Sequence, residues 1–369
     1  MYGIIATLFV TMLLSVILTP FVRLMAFKCG AVDNPNARRV NQVVMPTMGG
    51  LAIFLAFNLT NIFLLYKQYN PEQFWALLLA QIIIIATGII DDIFELTPKR
   101  KILGILLGAL VIFFVAKIKM TTLTLPFIGM VKLGWMSFPI TIIWILAITN
   151  AVNLIDGLDG LATGVSIIAI STSAITGFFF LNTTSIYISI MMFNLVFALL
   201  GFLPYNFNPA KIYLGDTGSL FIGFMISVFS LYGLKNATFI SIIIPVIILG
   251  VPITDTFFAI LRRFLNNVPI SQADKHHLHH QLMQMGLSHR QTVLVIYGIA
   301  LIFSMISLLY PISSLLGSLL LTIATLFGLE IFVEQIGLMG PNRTPLLDFI
   351  KKVVLFTEEN DVINKKNKK

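Results

Sequence analysis

Apolar runs as long as a hydrocarbon core is thick recur along this chain, and they limit its fold more than any other feature. A bilayer core about 30 Å thick needs roughly 20 residues of helix, and eleven stretches qualify as candidate spans. The chain is 57% hydrophobic and 11% charged, against about 25% charged in an ordinary soluble protein. No segment between the runs is large enough to fold alone. The expected fold class is an all-α polytopic membrane protein, with one integral membrane domain over residues 1–340 and a basic tail at 341–369. The first run, Tyr2 to Val22, is too long for a signal peptide's apolar region and lacks a small-residue cleavage site, so it counts as a span. Cys29 is the sole cysteine, which excludes a disulfide within the chain and any CxxC metal site.

Between the runs lie local signals. Thr97 before Pro98 reads as a helix N-cap followed by proline at the first helical position, starting a span near Ile102. Residues 121–133 alternate around a Pro/Gly turn and predict a small external β-hairpin. The ninth run, Thr238 to Leu261, carries Pro245, Gly250, Pro252 and Asp255, so it is expected to break, with its irregular part facing a cavity and not lipid. Ser288 to Gln291 has the form of a capping box opening the tenth run.

Charge sets the orientation. With the N-terminus outside, nineteen of the 24 Lys and Arg fall on the inner side, as the positive-inside rule requires. In that orientation Asp91, Asp92, Asp156, Asp159, Asp216 and a histidine cluster all follow odd-numbered runs and share the cytosolic face. Scattered loop polarity would not sort this way, so the reading is one cytosolic cleft in which these groups converge. Within it, Asn153-Leu-Ile-Asp156-Gly-Leu-Asp159-Gly160 sets two carboxylates three apart, the spacing of one helical face, beside glycines that admit a ligand to the backbone.

Clustered aspartates with nearby amides are hard oxygen ligands, suited to Mg²⁺, or Mn²⁺, more than to zinc. Magnesium implies phosphate, and it uses only one or two carboxylates, so the five aspartates cannot all be ligands. Lys101, Arg262 and Arg263 are candidates to neutralise a diphosphate, although each also serves as an orientation signal. His276, His277, His279 and His280 crowd five positions. Contacts to phosphate or sugar are the favoured reading; a zinc site lacks the HExxH glutamate and any cysteine partner, and a structural loop is the third choice.

Five motifs in order, PTMGG from Pro46, Asp91-Asp92 with its basic run, NLIDGLDGLA from Asn153, YLGDTGSL from Tyr213 and DKHHLHHQL from Asp274, resemble the polyprenyl-phosphate N-acetylhexosamine-1-phosphate transferases over nearly the whole chain. The HHLHH form looks more like the branch acting on undecaprenyl phosphate and N-acetylglucosamine-1-phosphate than the muramoyl-pentapeptide branch. The resemblance implies Mg²⁺ held by Asp216 and Asn153, uracil recognition near Asp159, and diphosphate contacts from Lys101 and the histidine loop. Taken with the charge pattern, the candidate catalytic residues are Asp91, Asp92, Asp216 and Lys101, and the candidate substrate contacts are Asn153, Asp156, Asp159, Arg262, Arg263 and the histidines. Ile105 departs from the pattern, since relatives often carry glutamine there.

The expected partners are a UDP-sugar, undecaprenyl phosphate and membrane lipid in a bacterial plasma membrane; nucleic acid is not expected, and a homodimer is left open. A lipid phosphate with a second pKa near 6 is mostly dianionic at pH 7 and scarcely needs a base, so direct attack on the β-phosphate is expected, with a covalent aspartyl-phosphate route as the alternative. From another class, an ion-coupled transporter would want its polar site near the midplane and usually an internal repeat. The motifs instead crowd one face, and no repeat is apparent.

Overall fold

The computed structural model describes residues 2–34, 43–125, 129–180, 186–233, 239–265, 277–338 and 344–349. It divides into two compact units, one of Met1–Thr254 with Ser288–Ile312 and one of Asp255–Leu287 with Ser313–Lys369. His276 and most of the tail expected at 341–369 lie outside the described residues.

The first unit is a helical assembly: α1 (Tyr2–Cys29), α2 (Gly49–Thr60), α3 (Pro71–Phe94), α4 (Pro98–Phe114), α5 (Ser137–Ile155), α6 (Leu161–Phe180), α7 (Ile186–Asn206), α8 (Gly215–Gly233), α9 (Phe239–Ile248) and α12 (His289–Leu309), with the start of α10 (Gly250–Leu265). The second holds the rest of α10, α11 (Leu278–Gln284) and α13 (Leu315–Ile336), with α11 packed beside α13. Eight helices among the described residues are long and apolar enough to cross a membrane. The other three expected runs are also helical: α2 continues as a π turn to Leu65, α4 has 17 residues, and the ninth run is broken into α9 and α10 at Leu249. Proline accounts for that break, because Pro252 has no N–H to continue the ladder.

The burial pattern is that of a protein whose solvent is lipid. On α1 the hydroxyl residues Thr7, Thr11, Ser15 and Thr19, four apart, face inward, while Phe21 and Leu24 are 64% and 60% exposed. On α13, Leu316, Leu320, Ile323 and Leu326 all point outward. In water each would forgo about 1.5–3 kcal/mol of burial, a loss that disappears against acyl chains. Small and hydroxyl side chains then serve where helices meet, as they do inside membranes.

At the centre of the first unit is α8, whose Leu220, Phe221, Ile222, Phe224, Met225 and Val228 are fully or almost fully buried against α2, α3 and α5. Its approach to α3 is close enough that a Cβ on Gly88 would lie 2.4 Å from Thr217 Cα. The PTMGG motif explains itself here. Pro46 O accepts from Tyr213 N, and Gly49 N and Gly50 N donate to Tyr213 O and Leu214 O, so the start of α2 is docked on the strand-like approach to α8.

The expected hairpin is present, β3 (Thr122–Leu125) antiparallel to β4 (Gly129–Lys132), with Leu123 opposite Val131. A second ribbon, β1 (Val32–Asp33) with β2 (Met45–Pro46), has no signal in the polar segment that carries it. Pro98 opens α4 as expected, although Thr97 makes no side-chain cap bond. Ser288 and Gln291 form the reciprocal capping box.

Candidate active site

Four helix ends meet at one corner of the first unit. The last turn of α3 supplies Asp91 and Asp92, the first turn of α4 Lys101, the last turn of α5 Asn153, and the first turn of α8 Asp216, Thr217 and Ser219. Lys101 is the hub. Its Nζ lies 2.7 Å from Asp91 Oδ2 and 2.9 Å from Asp216 Oδ2, so one half-buried ammonium bridges two carboxylates contributed by different helices. Asn153 Nδ2 donates to the other oxygen of Asp216 and, at 2.8 Å, to Ser219 Oγ.

The adjacent aspartates have separate partners, because successive residues on a helix point about 100° apart. Asp91 faces α4: besides Lys101 it accepts Leu96 N at 2.7 Å, closing the turn between α3 and α4. Asp92 faces α8. Its Oδ1 accepts Asp216 N at 2.9 Å, and its Oδ2 accepts Thr217 N at 3.0 Å and Thr217 Oγ1 at 2.6 Å. It therefore satisfies amides at the start of α8 that lack intrahelical partners, and its charge complements the positive end of the helix dipole. Gly215 makes this approach feasible. It sits at φ +71°, and a Cβ there would meet the Asp92 carboxylate at 2.6 Å.

The segment from Asn153 to Gly160 differs from its expected form. Because α5 ends at Ile155, Asp156 and Asp159 lie in the turn before α6, not on one helical face. The Asp156 N–H donates to Asn153 O at 3.3 Å, whereas its carboxylate has no hydrogen-bond partner among the described residues; desolvation, and then the charges of Asp216, Asp92 and Asp159, push its carboxyl well above the usual carboxylate range. Asp159 is anchored. Its Oδ2 accepts Asn208 Nδ2 at 2.9 Å and Ala210 N at 3.1 Å, while its own N–H donates to His289 Nε2 at 2.9 Å. Arg290 Nε reaches Asn208 O, and Tyr297 Oη donates to Gly160 O. Thus α12 and the loop after α7 hold the segment in place.

The remaining candidates belong to the second unit. His277 is the N-cap residue of α11, its Nδ1 is 2.9 Å from Asp255 Oδ2, and its ring lies parallel to that of His279. His279 and His280 rings lie 4.1 Å apart. Arg262 is buried and donates to Leu338 O, which ties α10 to the end of α13; Arg263 is half-buried.

The donor chemistry bears on which ion fits. Among the described residues no group of three or more His, Cys, Asp and Glu is arranged to hold a metal. Asp216 with the Asn153 amide oxygen would suit Mg²⁺, which keeps several water ligands and completes its shell with phosphate oxygens. Asn153 presents its nitrogen to Asp216 here, and rotation of the amide exchanges that donor for an acceptor.

Several members of the site escape a motif reading. Thr217 and Ser219 are legible only as part of YLGDTGSL, and Asn208, His289, Arg290 and Tyr297 carry no local signal beyond a polar loop and a capping box.

The sequence pattern of glycosyl transferase family 4 matches residues 74–234, which include all four convergent helix ends. The chain is 44% identical to a probable undecaprenyl-phosphate N-acetylglucosaminyl 1-phosphate transferase of Bacillus subtilis, over 96% of this chain and 98% of that one. A decaprenyl-phosphate N-acetylglucosaminephosphotransferase of Mycobacterium tuberculosis is 34% identical over 75% of this chain and 74% of its own. A phospho-N-acetylmuramoyl-pentapeptide-transferase of Staphylococcus aureus is 32% identical over 82% and 96%. With its apolar spans and the corner where four helix ends meet, this chain belongs to glycosyl transferase family 4 and is a multi-pass membrane enzyme of the polyprenyl-phosphate N-acetylhexosamine-1-phosphate transferase group.

Proposed function

We propose that this protein transfers N-acetylglucosamine-1-phosphate from UDP-N-acetylglucosamine to undecaprenyl phosphate, forming the lipid-linked diphosphosugar and UMP at the cytosolic face of a bacterial plasma membrane. The product would start a cell-envelope glycan. The observation that carries this reading is the near full-length likeness to the Bacillus subtilis relative, a probable undecaprenyl-phosphate N-acetylglucosaminyl 1-phosphate transferase. The charge at the site is compatible with it. Lys101 is one ammonium among Asp91, Asp92 and Asp216, a corner that repels a bare diphosphate and favours one carrying a divalent cation.

In this reading Asp216 and Asn153 hold Mg²⁺. When bound, the ion supplies positive charge to the diphosphate oxygens. Lys101 offsets charge on the phosphates and on departing UMP, and Asp91 keeps the ammonium in place through the 2.7 Å contact. Asp92 acts through α8, fixing the turn that carries Asp216. The attacking lipid phosphate is already mostly dianionic, so positioning and charge neutralisation carry the reaction. The turn from Asn153 to Gly160 serves as the nucleotide platform, with Asp159 for the uracil; Asp156, Arg262, Arg263 and the histidines are the further candidates for substrate contacts.

The test is release of UMP by detergent-solubilised protein supplied with UDP-N-acetylglucosamine, undecaprenyl phosphate and Mg²⁺, with EDTA stopping it. UDP-N-acetylmuramoyl-pentapeptide in place of the first substrate is expected to give no product; its use would move the chain to the other branch. Asp216→Asn should lower turnover by at least about 10²–10³-fold, the scale of a lost charge-stabilising group, with melting nearly unchanged. Turnover at the parent rate refutes the metal assignment. Robust UMP exchange without lipid acceptor would favour the covalent route.

A further inference from the structure

Asp255 lies in the broken ninth run, where a buried carboxylate is costly unless it is matched, and nothing in the transfer reaction described above uses it. It is 3% exposed. Both of its oxygens serve consecutive residues of the histidine segment: Oδ2 stands 2.9 Å from His277 Nδ1, and Oδ1 accepts Leu278 N at 2.8 Å. An ionised carboxylate only accepts, so the hydrogen of this contact belongs to Nδ1, and Nε2 is the ring nitrogen left for another partner. His277 occupies the N-cap position of α11 yet makes no side-chain cap bond. Asp255, reaching across from α10, supplies the acceptor that this helix start would otherwise lack. One carboxylate thereby meets both the backbone where α11 begins and the His277 ring.

We propose that Asp255 is a positioning residue for the transfer reaction: it holds His277 in one orientation with Nδ1–H directed inward, so that Nε2 is the atom the histidine segment presents to the bound sugar nucleotide. This rests on the reading of the chain as a transferase acting on UDP-N-acetylglucosamine, and it assigns a role within that reading to a residue pair separated by 21 intervening positions. A merely architectural Asp255 would cap α11 and leave the chemistry indifferent to the ring's tautomer.

Asp255→Asn separates the two roles. The amide has one acceptor oxygen where the carboxylate has two, and two N–H groups compete for it. Leu278 N–H cannot relocate its hydrogen, whereas the imidazole can. The oxygen is expected to stay with Leu278, the amide N–H to face Nδ1, and the ring hydrogen to move to Nε2. His277→Asn is the complementary variant: its amide N–H still donates toward Asp255 and keeps the cap, but nothing remains at the place of Nε2.

The full chain has five histidines, so ¹⁵N-histidine labelling in detergent gives a readable spectrum, with His277 assigned by the signals missing from His277→Asn. Expected are an Nδ1–H or doubly protonated ring in the parent, an Nε2–H ring in Asp255→Asn, and a fall in turnover of at least about tenfold in each single variant, the usual scale for a group that orients another. The double variant should be no slower than the slower single, since both remove one device. An unchanged tautomer in Asp255→Asn, a switched tautomer with parental turnover, or parental turnover in His277→Asn each overturns the proposal. A parent protein that makes no lipid-linked sugar from UDP-N-acetylglucosamine would overturn the underlying reading, and this proposal with it. Loss of activity in Asp216→Asn with parental activity in both single variants would overturn this proposal alone.

Discussion

Replacing Asp92 by alanine should unfold the start of α8 before it affects any chemistry. The carboxylate accepts two backbone N–H groups and one hydroxyl, at 2.9, 3.0 and 2.6 Å. A side-chain cap of this kind contributes about 1 kcal/mol, and a donor left unsatisfied away from water costs about 1–3 kcal/mol. Asp92 is half-buried, so the lower end applies to each amide, and Thr217 Oγ1 can turn to another acceptor. The sum is a loss of about 2–4 kcal/mol, or about 30- to 700-fold in the folding equilibrium at about 1.4 kcal/mol per decade. Asp92→Asn keeps one acceptor oxygen and should lose roughly half as much. The assay is reversible unfolding in mixed micelles, followed by Trp fluorescence, beside turnover of each variant measured well below its unfolding point. An Asp92→Ala protein as stable as the parent but inactive would refute the capping account and move Asp92 into the chemistry.

Other outcomes follow from the same corner and its packing. Gly88→Ala places a Cβ 2.4 Å from Thr217 Cα, against backbone that cannot swing aside; overpacking of this kind costs about 1–3 kcal/mol or more, and the expected result is a sharp drop in folded yield, checked by size-exclusion chromatography of the solubilised protein. Asp156 introduces a pH dependence. Its carboxyl is raised in the folded chain, so between the unfolded value near 4 and the raised one the folded state binds more protons, and stability falls as pH increases through that window. Asp156→Asn should therefore stabilise the metal-free protein at pH 7 and have little effect at or below about pH 4, as read from denaturant midpoints in EDTA. A variant equally displaced at both pH values would contradict the assignment.

Much of the architecture was legible in local sequence, since apolar run length, proline position, turn residues and caps act within a few residues. The hairpin at 121–133, the capping box at Ser288 and the break in the ninth run all follow from such short-range physics. Where the run length was marginal, at α2 and α4, sequence could not tell a full span from a short helix. The Asp156 and Asp159 pair misled because their three-residue spacing fits a helix, but the helix stops at Ile155 and the carboxylates sit in a turn held by Asn208, Ala210 and His289.

By itself the sequence determined that this chain lives in a membrane and that its carboxylates, amides and basic groups lie at run ends. Only the tertiary structure decided how Asp91 and Asp92 divide their work, with Lys101 for one and the α8 amides for the other. It also decided that PTMGG docks α2 on Tyr213 and Leu214, and that Asp255 meets His277. The physical reason is common to all three. A side chain's direction follows from its own helix, but the partner it meets depends on which other helix the packing brings there, and neighbouring residues carry no record of that.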